Sequence, residues 1–246
     1  MLVIYILVFF LGACFGSFYH VVGYRMPIGE NWVKDRSRCP GCSHELQFYE
    51  LIPVFSYLVQ GGKCRICHMK IKLIYLLSEI IAGLLFVFPV AIYGFEGLED
   101  GRVYLIWTVL SMLIIVTVSE IYYQVFLDKA IFFFAGVLIL LYGVFSPQNI
   151  LLGLIGAGVG FLILYAVDLL SLPTFTQEHF SEKYAKLYIV IGFLLGVFNT
   201  LLSFFLAFSI YEIFNLLFQK SKVKPISLGV FITMISYLYL LLKFII

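Results

Sequence analysis

Long apolar runs, separated by short polar stretches, fill most of the chain. They cover residues 1–19, 74–95, 103–119, 130–145 and 150–171. A helix needs about 20 mostly apolar residues to cross the hydrocarbon core of a bilayer, so each run predicts one span. Residues 187–218 make a run too long for a single crossing, and the polar pair Asn199-Thr200 is expected to divide it into a short helix and a full one. A last run, 226–246, brings the expected number to eight. None of the runs alternates apolar and polar residues with a period of two, which excludes a transmembrane β-barrel. The pattern therefore predicts an all-α, polytopic transmembrane helical bundle of about eight spans. A polar loop separates the first two helices. Three segments are expected: the first helix at 1–23, the loop at 24–73, and a membrane-embedded helical domain at 74–246.

Composition sharpens this picture. Of 246 residues, 63% are apolar and 12% are charged, against roughly 25% charged in soluble domains. The mean hydropathy is +1.06. These values argue against a soluble globule, a disordered tail and a nucleic-acid binder. The net charge of +2 is nearly neutral, so the positions of the charges matter more than their sum. Eight of the 16 Lys and Arg residues lie in the polar loop. With eight spans and the N-terminus outside, 14 of the 16 face the cytoplasm, as the positive-inside rule requires. These cytoplasmic cations would attract anionic lipid head groups. The first run has no basic residue before it, so an uncleaved first helix is expected rather than a signal peptide. Cys14, in Leu11-Gly12-Ala13-Cys14, is expected to be a buried packing thiol.

The loop carries Cys39-Pro40-Gly41-Cys42 and Cys64-Arg65-Ile66-Cys67, two CxxC pairs with 21 residues between them. This is close to the spacing of four-cysteine zinc sites, where each pair presents two thiolates from one tight turn. A cytoplasmic location disfavours the alternative of two disulfides. Cys39, Cys42, Cys64 and Cys67 are thus expected to hold a structural zinc ion, which would fold a loop too small for a core of its own. His44 and His68 lie beside the pairs and are expected to be surface groups. No other cofactor motif is readable.

The same region resembles the bacterial type IV prepilin peptidases, including the competence-type enzymes of Gram-positive bacteria. The resemblance rests on Gly16-Ser17-Phe18, Arg25-Met26-Pro27, Arg36-Ser37-Arg38-Cys39-Pro40-Gly41-Cys42 and Glu50-Leu51-Ile52-Pro53. It continues through Gly62-Lys63-Cys64-Arg65-Ile66-Cys67, Lys70-Ile71 and Tyr75 with Glu79. Pro225-Ile226-Ser227-Leu228-Gly229 adds a weaker match near the C-terminus. The resemblance implies an aspartic endopeptidase in the cytoplasmic membrane. Such an enzyme removes the basic leader of a prepilin or pseudopilin at the cytoplasmic face, using two aspartates at the ends of membrane helices. It also implies N-methylation of the new N-terminus with S-adenosylmethionine as donor.

This sequence departs from that family where the aspartates should be. Glu120 occupies the first position, and Asp128 matches a further acidic position eight residues on. The second aspartate belongs to a Gly-x-Gly-Asp-x-Lys motif. Lys186, Gly192 and Gly196 fit the downstream half of that pattern. This register puts Tyr184 on the aspartate, with Ser181 and Lys183 on the two glycines. Aspartic catalysis needs two carboxyl groups that share one proton, and a phenol with an ordinary pKa of about 10 does not replace one. Three readings stay open: Glu182 supplies the second carboxyl beside Glu120, Asp168 does, or the protein binds pilin precursors without cutting them. Glu120 could instead be solvated or paired with Lys129 or Lys186, and Glu182 could be a surface charge in a polar loop. Glu45, Glu50, Glu178 and Glu182 are candidates to attract a basic leader. A transporter is disfavoured, because no paired internal repeat is visible.

Overall fold

The computed structural model describes residues 2–169, 180–218 and 228–243, without the side chains of 167, 168, 180–183, 215, 216, 218, 228, 229, 242 and 243. Two units share the chain, residues 1–99 and 100–246. In the first, α1 (Leu2–Arg25) and α3 (Leu73–Tyr93) are long membrane-type helices, and α2 (Phe55–Val59) and α4 (Glu96–Glu99) are short. Glycines let α1 and α3 approach closely. A Cβ at Gly16 would collide with Ala82, one at Gly12 with Phe86, and one at Gly83 with Phe9. Small residues at such crossings substitute for the hydrophobic drive that lipid does not provide. Cys14 is exposed on α1, which corrects the expectation of a buried thiol: Gly12, Ala13 and Gly16 take the packed face instead.

The polar loop between these helices is built from turns. Arg25 ends α1 and donates from Nη1 to the carbonyl of Asp35 at 2.6 Å, folding the loop back on the helix end. Asn31 Oδ1 accepts from the N–H groups of Val33 and Lys34. At the far end Glu79 of α3 accepts the Val54 N–H at 2.7 Å and a hydrogen bond from Ser17 of α1. Val54 has φ 65°, a conformation costly for a β-branched residue. The Glu79 hydrogen bond helps hold it there, at the start of α2.

The second unit contains α5 (Arg102–Tyr123), α6 (Asp128–Phe145), α7 (Ile150–Leu169), α8 (Phe180–Leu195), α9 (Val197–Phe218) and α10 (Leu228–Lys243). Of the six long apolar helices α5 is the most enclosed, with Ile106, Val109, Met112, Leu113 and Val116 in its buried face. Helices α7 and α8 meet backbone to backbone: a Cβ on Gly156 would strike the Gly192 carbonyl, and one on Gly160 the Tyr188 carbonyl. Among the described residues six helices are long and apolar enough to cross a membrane, and two shorter apolar helices, Tyr184–Leu195 and Val230–Leu241, accompany them. The all-α, multi-pass architecture is therefore as expected.

Two details differ. The long run breaks at Gly196, which has φ 75°, three residues before the expected Asn199-Thr200. Glycine takes the left-handed conformation at little cost. Thr200 Oγ1 and Asn199 Nδ2 instead donate back to the carbonyls of Gly196 and Leu195 across the break. Helix α8 also begins at Phe180, so the backbone of Glu182 is helical rather than in a polar loop. The side chains of Asp168 and Glu182 lie outside the described residues, as do Glu178, Lys220, Lys222, Lys224 and the segment 225–227.

Candidate functional site

The cysteine pairs form two like-shaped knuckles. In each, the first cysteine accepts from a residue four positions on: the Ser43 N–H bonds the Cys39 carbonyl at 2.8 Å and the His68 N–H bonds the Cys64 carbonyl at 2.9 Å. The N–H groups of Cys39 and Cys64 donate to the carbonyls of His44 and Met69. Isolated antiparallel bridges, Arg38 with Glu45 and Lys63 with Lys70, close the two hairpins. Ser43 and His68 both take positive φ, 56° and 58°, so each turn directs its cysteines inward in the same way. The four sulfurs all lie within 4.8 Å of one another. Cys39 and Cys67 are 3.7 Å apart, and Cys42 and Cys64 3.9 Å.

Those separations decide between the alternatives. A disulfide needs about 2.05 Å, whereas a tetrahedron with metal–sulfur bonds of about 2.3 Å has edges of about 3.8 Å. The donor set therefore fits a closed four-thiolate metal site. The electrostatics suit the same role. N–H groups of Gly41 and Cys42 point at Cys39 and, with the neighbouring thiols Cys64 and Cys67, pull it to about 7. Cys42 receives the His44 N–H, yet desolvation and its three neighbouring thiols push it up to about 12. Four thiols this close ionise together only if a cation neutralises them. Gly41 leaves room for the cluster, since a Cβ there would press on Met69 and Cys67. His44 and His68 are not among the ligands. His44 Nε2 bonds Glu50 Oε2 at 3.0 Å.

Glu50 is buried and closes a capping box on the turn Phe48–Glu50, where its carboxylate accepts the Gln47 N–H at 2.8 Å. That bond, with His44 beside it, holds Glu50 below the usual carboxylate range. Glu45 is engaged by Arg38 at 2.6 Å and Arg36 at 3.9 Å. Both carboxylates are thus engaged within the loop, although Glu50 Oε1 has no hydrogen-bond partner among the described residues.

The second candidate site lies in the other unit. Glu120, one turn before the end of α5, is 1% exposed. The phenol of Tyr184, in the first turns of α8 and itself buried, donates to Glu120 Oε1 at 3.4 Å. The ring of Phe126 packs edge-on against Tyr184 with centroids 5.0 Å apart. The connection from α5 to α6 is fixed locally: Gln124 takes φ 56° and returns its N–H to the Glu120 carbonyl, and Ser119 Oγ donates to the Val125 carbonyl at 2.6 Å. Asp128 opens α6, where a carboxylate suits the helix dipole, and accepts from Lys186 Nζ at 2.5 Å. Lys186 is thus engaged by Asp128. Glu79 had only a place in a motif and no role; a carboxylate within an apolar run is itself a signal for one.

Residues 10–93 match the family profile of the bacterial peptidase A24 N-terminal domain. The chain is 32% identical over 192 residues to a prepilin leader peptidase/N-methyltransferase of Bacillus subtilis, covering 78% of this chain and 73% of that protein. It belongs to the prepilin leader peptidase/N-methyltransferase family. Family members of the same description from Myxococcus xanthus and Stutzerimonas stutzeri are 46% identical over 81 residues and 30% over 182. Those matches cover 33% and 64% of this chain, and 24% and 61% of the relatives. No solved structure matches the chain.

Proposed function

We propose that the chain processes type IV prepilin or pseudopilin precursors in the cytoplasmic membrane, hydrolysing the bond between a basic leader and the hydrophobic helix behind it. The contact of Tyr184 with Glu120 carries this reading. It joins two positions, 64 residues apart, that the resemblance matches to the two aspartates of the family. Glu120 is the base that activates water. Tyr184 is the hydroxyl that polarises the scissile carbonyl, which a phenol can do by donating a hydrogen bond without ionising. Unlike a second carboxyl it does not share a proton with its partner, so turnover is slower than for a pair of aspartates. The four cysteines hold structural zinc, whose binding energy folds the loop at the cytoplasmic face. Following the second activity in the relatives' names, the freed N-terminal amine is then methylated from S-adenosylmethionine.

A second reading is favoured by the phenol itself: the scaffold binds precursors but does not cut them. Incubating the purified protein with a prepilin separates the two. Slow cleavage that disappears in Glu120→Gln supports the peptidase. Intact substrate with the natural sequence, and cleavage that appears only in Tyr184→Asp, supports binding without hydrolysis.

A further inference from the structure

Helix α2 sits deeper along the helices of its unit than its place in a polar loop suggests. The Val54 N–H at its start bonds Glu79 Oε2 at 2.7 Å, and Ser17 of α1 donates to the same carboxylate. Helix α3 has 21 residues, about the number that one crossing of the hydrocarbon core requires, and Lys72 stands immediately before it. Leu73 therefore lies near the membrane boundary. Glu79, six residues further on, lies about 9 Å inside it at a rise of about 1.5 Å per residue. Ser17 agrees, lying eight residues before the end of α1, or about 12 Å. The start of α2 is thus held at membrane depth.

The side chains and the backbone of α2 suit that position. Phe55, Leu58 and Val59 share one face at helical spacing, and they are 56%, 63% and 69% exposed. The backbone needs no water. The N–H groups of Ser56, Leu58 and Gln60 bond the carbonyls of Ile52, Val54 and Ser56, and that of Val54 is taken by Glu79. Lipid admits a backbone only when its polar groups are satisfied in this way. Lys63 and Arg65 line a cavity together with Phe55 and Val59, which sets two cations beside the apolar face, as anionic head groups require. We propose that the apolar face of α2 is inserted in the bilayer, in the leaflet on the loop's side, so that the cysteine loop is moored to lipid as well as to α1 and α3. A precursor with a basic leader would meet the same two cations, so the occupant of this face is lipid rather than substrate. The mooring is independent of whether the protein cuts its substrate.

The test places a reporter on that face. The two natural tryptophans, Trp32 and Trp107, are replaced by Phe, and Leu58→Trp is read by fluorescence. The full, zinc-loaded protein is reconstituted in vesicles of phosphatidylcholine and phosphatidylglycerol. Phospholipids with brominated acyl chains are expected to quench the new emission, and aqueous acrylamide is expected to leave it unchanged. Glu79→Leu leaves the Val54 N–H without its acceptor and is expected to cut the quenching by lipid about twofold, with zinc content unchanged. Emission quenched by acrylamide and not by the brominated chains overturns the proposal. Emission shielded from both overturns it as well, because a protein surface would then cover the face. Shielding that arises only when a prepilin is added makes the face a substrate site and also overturns it. Because tryptophan itself favours membrane interfaces, a phospholipid with a photoactivatable acyl chain, applied to the natural sequence, supplies a second measurement. Label on residues 55–59 supports insertion, and label confined to the long helices overturns it.

Discussion

Tyr184 contributes one long hydrogen bond to Glu120, at 3.4 Å, and hydrogen bonds weaken steeply with length and angle. Tyr184→Phe should therefore lower stability by less than about 1 kcal/mol, measurable by thermal unfolding in detergent, while cleavage falls if the hydroxyl polarises the carbonyl. Tyr184→Asp should do the opposite to chemistry. Two neighbouring carboxyls separate their pKa values, so the variant should gain a bell-shaped pH profile of prepilin cleavage, with a rate at least tenfold above the natural sequence. Glu50 gives a second residue-scale expectation. Its carboxylate is held low by the Gln47 N–H and then by His44, so its stabilisation is complete above the unfolded value of about 4.3 and is lost as pH falls through the lower folded value. Glu50→Gln should destabilise the loop by about 1–2 kcal/mol at pH 7. Its deficit should shrink below pH 4 in paired denaturation curves.

At the scale of elements, the crossing of α7 and α8 positions the α8 residues Tyr184 and Lys186. Gly156→Leu should force those backbones apart, since even a Cβ there meets the Gly192 carbonyl. Overpacking of this kind costs about 1–3 kcal/mol, readable as a lower melting temperature together with loss of any prepilin processing. The existence of the apolar helices was legible from run length alone, because lipid demands a continuous apolar surface and internal backbone bonding. The end of α8 lies earlier than the sequence suggests because Asn199 and Thr200 look like breakers, yet their side chains bond back across the break at Gly196. The start of α8 was hidden because Ser181, Glu182 and Lys183 are polar although the backbone there is helical.

For the whole molecule, the proposed zinc site ties the fold of the loop to a bound ion. Cys64→Ser should abolish stoichiometric zinc, and a strong chelator should leave the two knuckles unfolded and rapidly cut by protease between residues 26 and 72. The long helices should remain, as far-ultraviolet circular dichroism would show. Zinc release should also grow on acidification, because the ligands are thiolates and protons compete for them. A loop that stays protease-resistant after complete metal removal would contradict this coupling.

Sequence by itself determined the helical class, the rough number of spans and the four cysteines that could hold a metal, because each depends on local composition or on spacing within a short turn. It also marked positions 120 and 184. Only the tertiary structure decided that these two meet, that Lys186 is held by Asp128, that Cys14 faces outward and that Glu50 turns inward. The reason is rotational: a residue's place in a run says that it is in a helix, while the direction it faces depends on how glycine-lined helices settle against their neighbours.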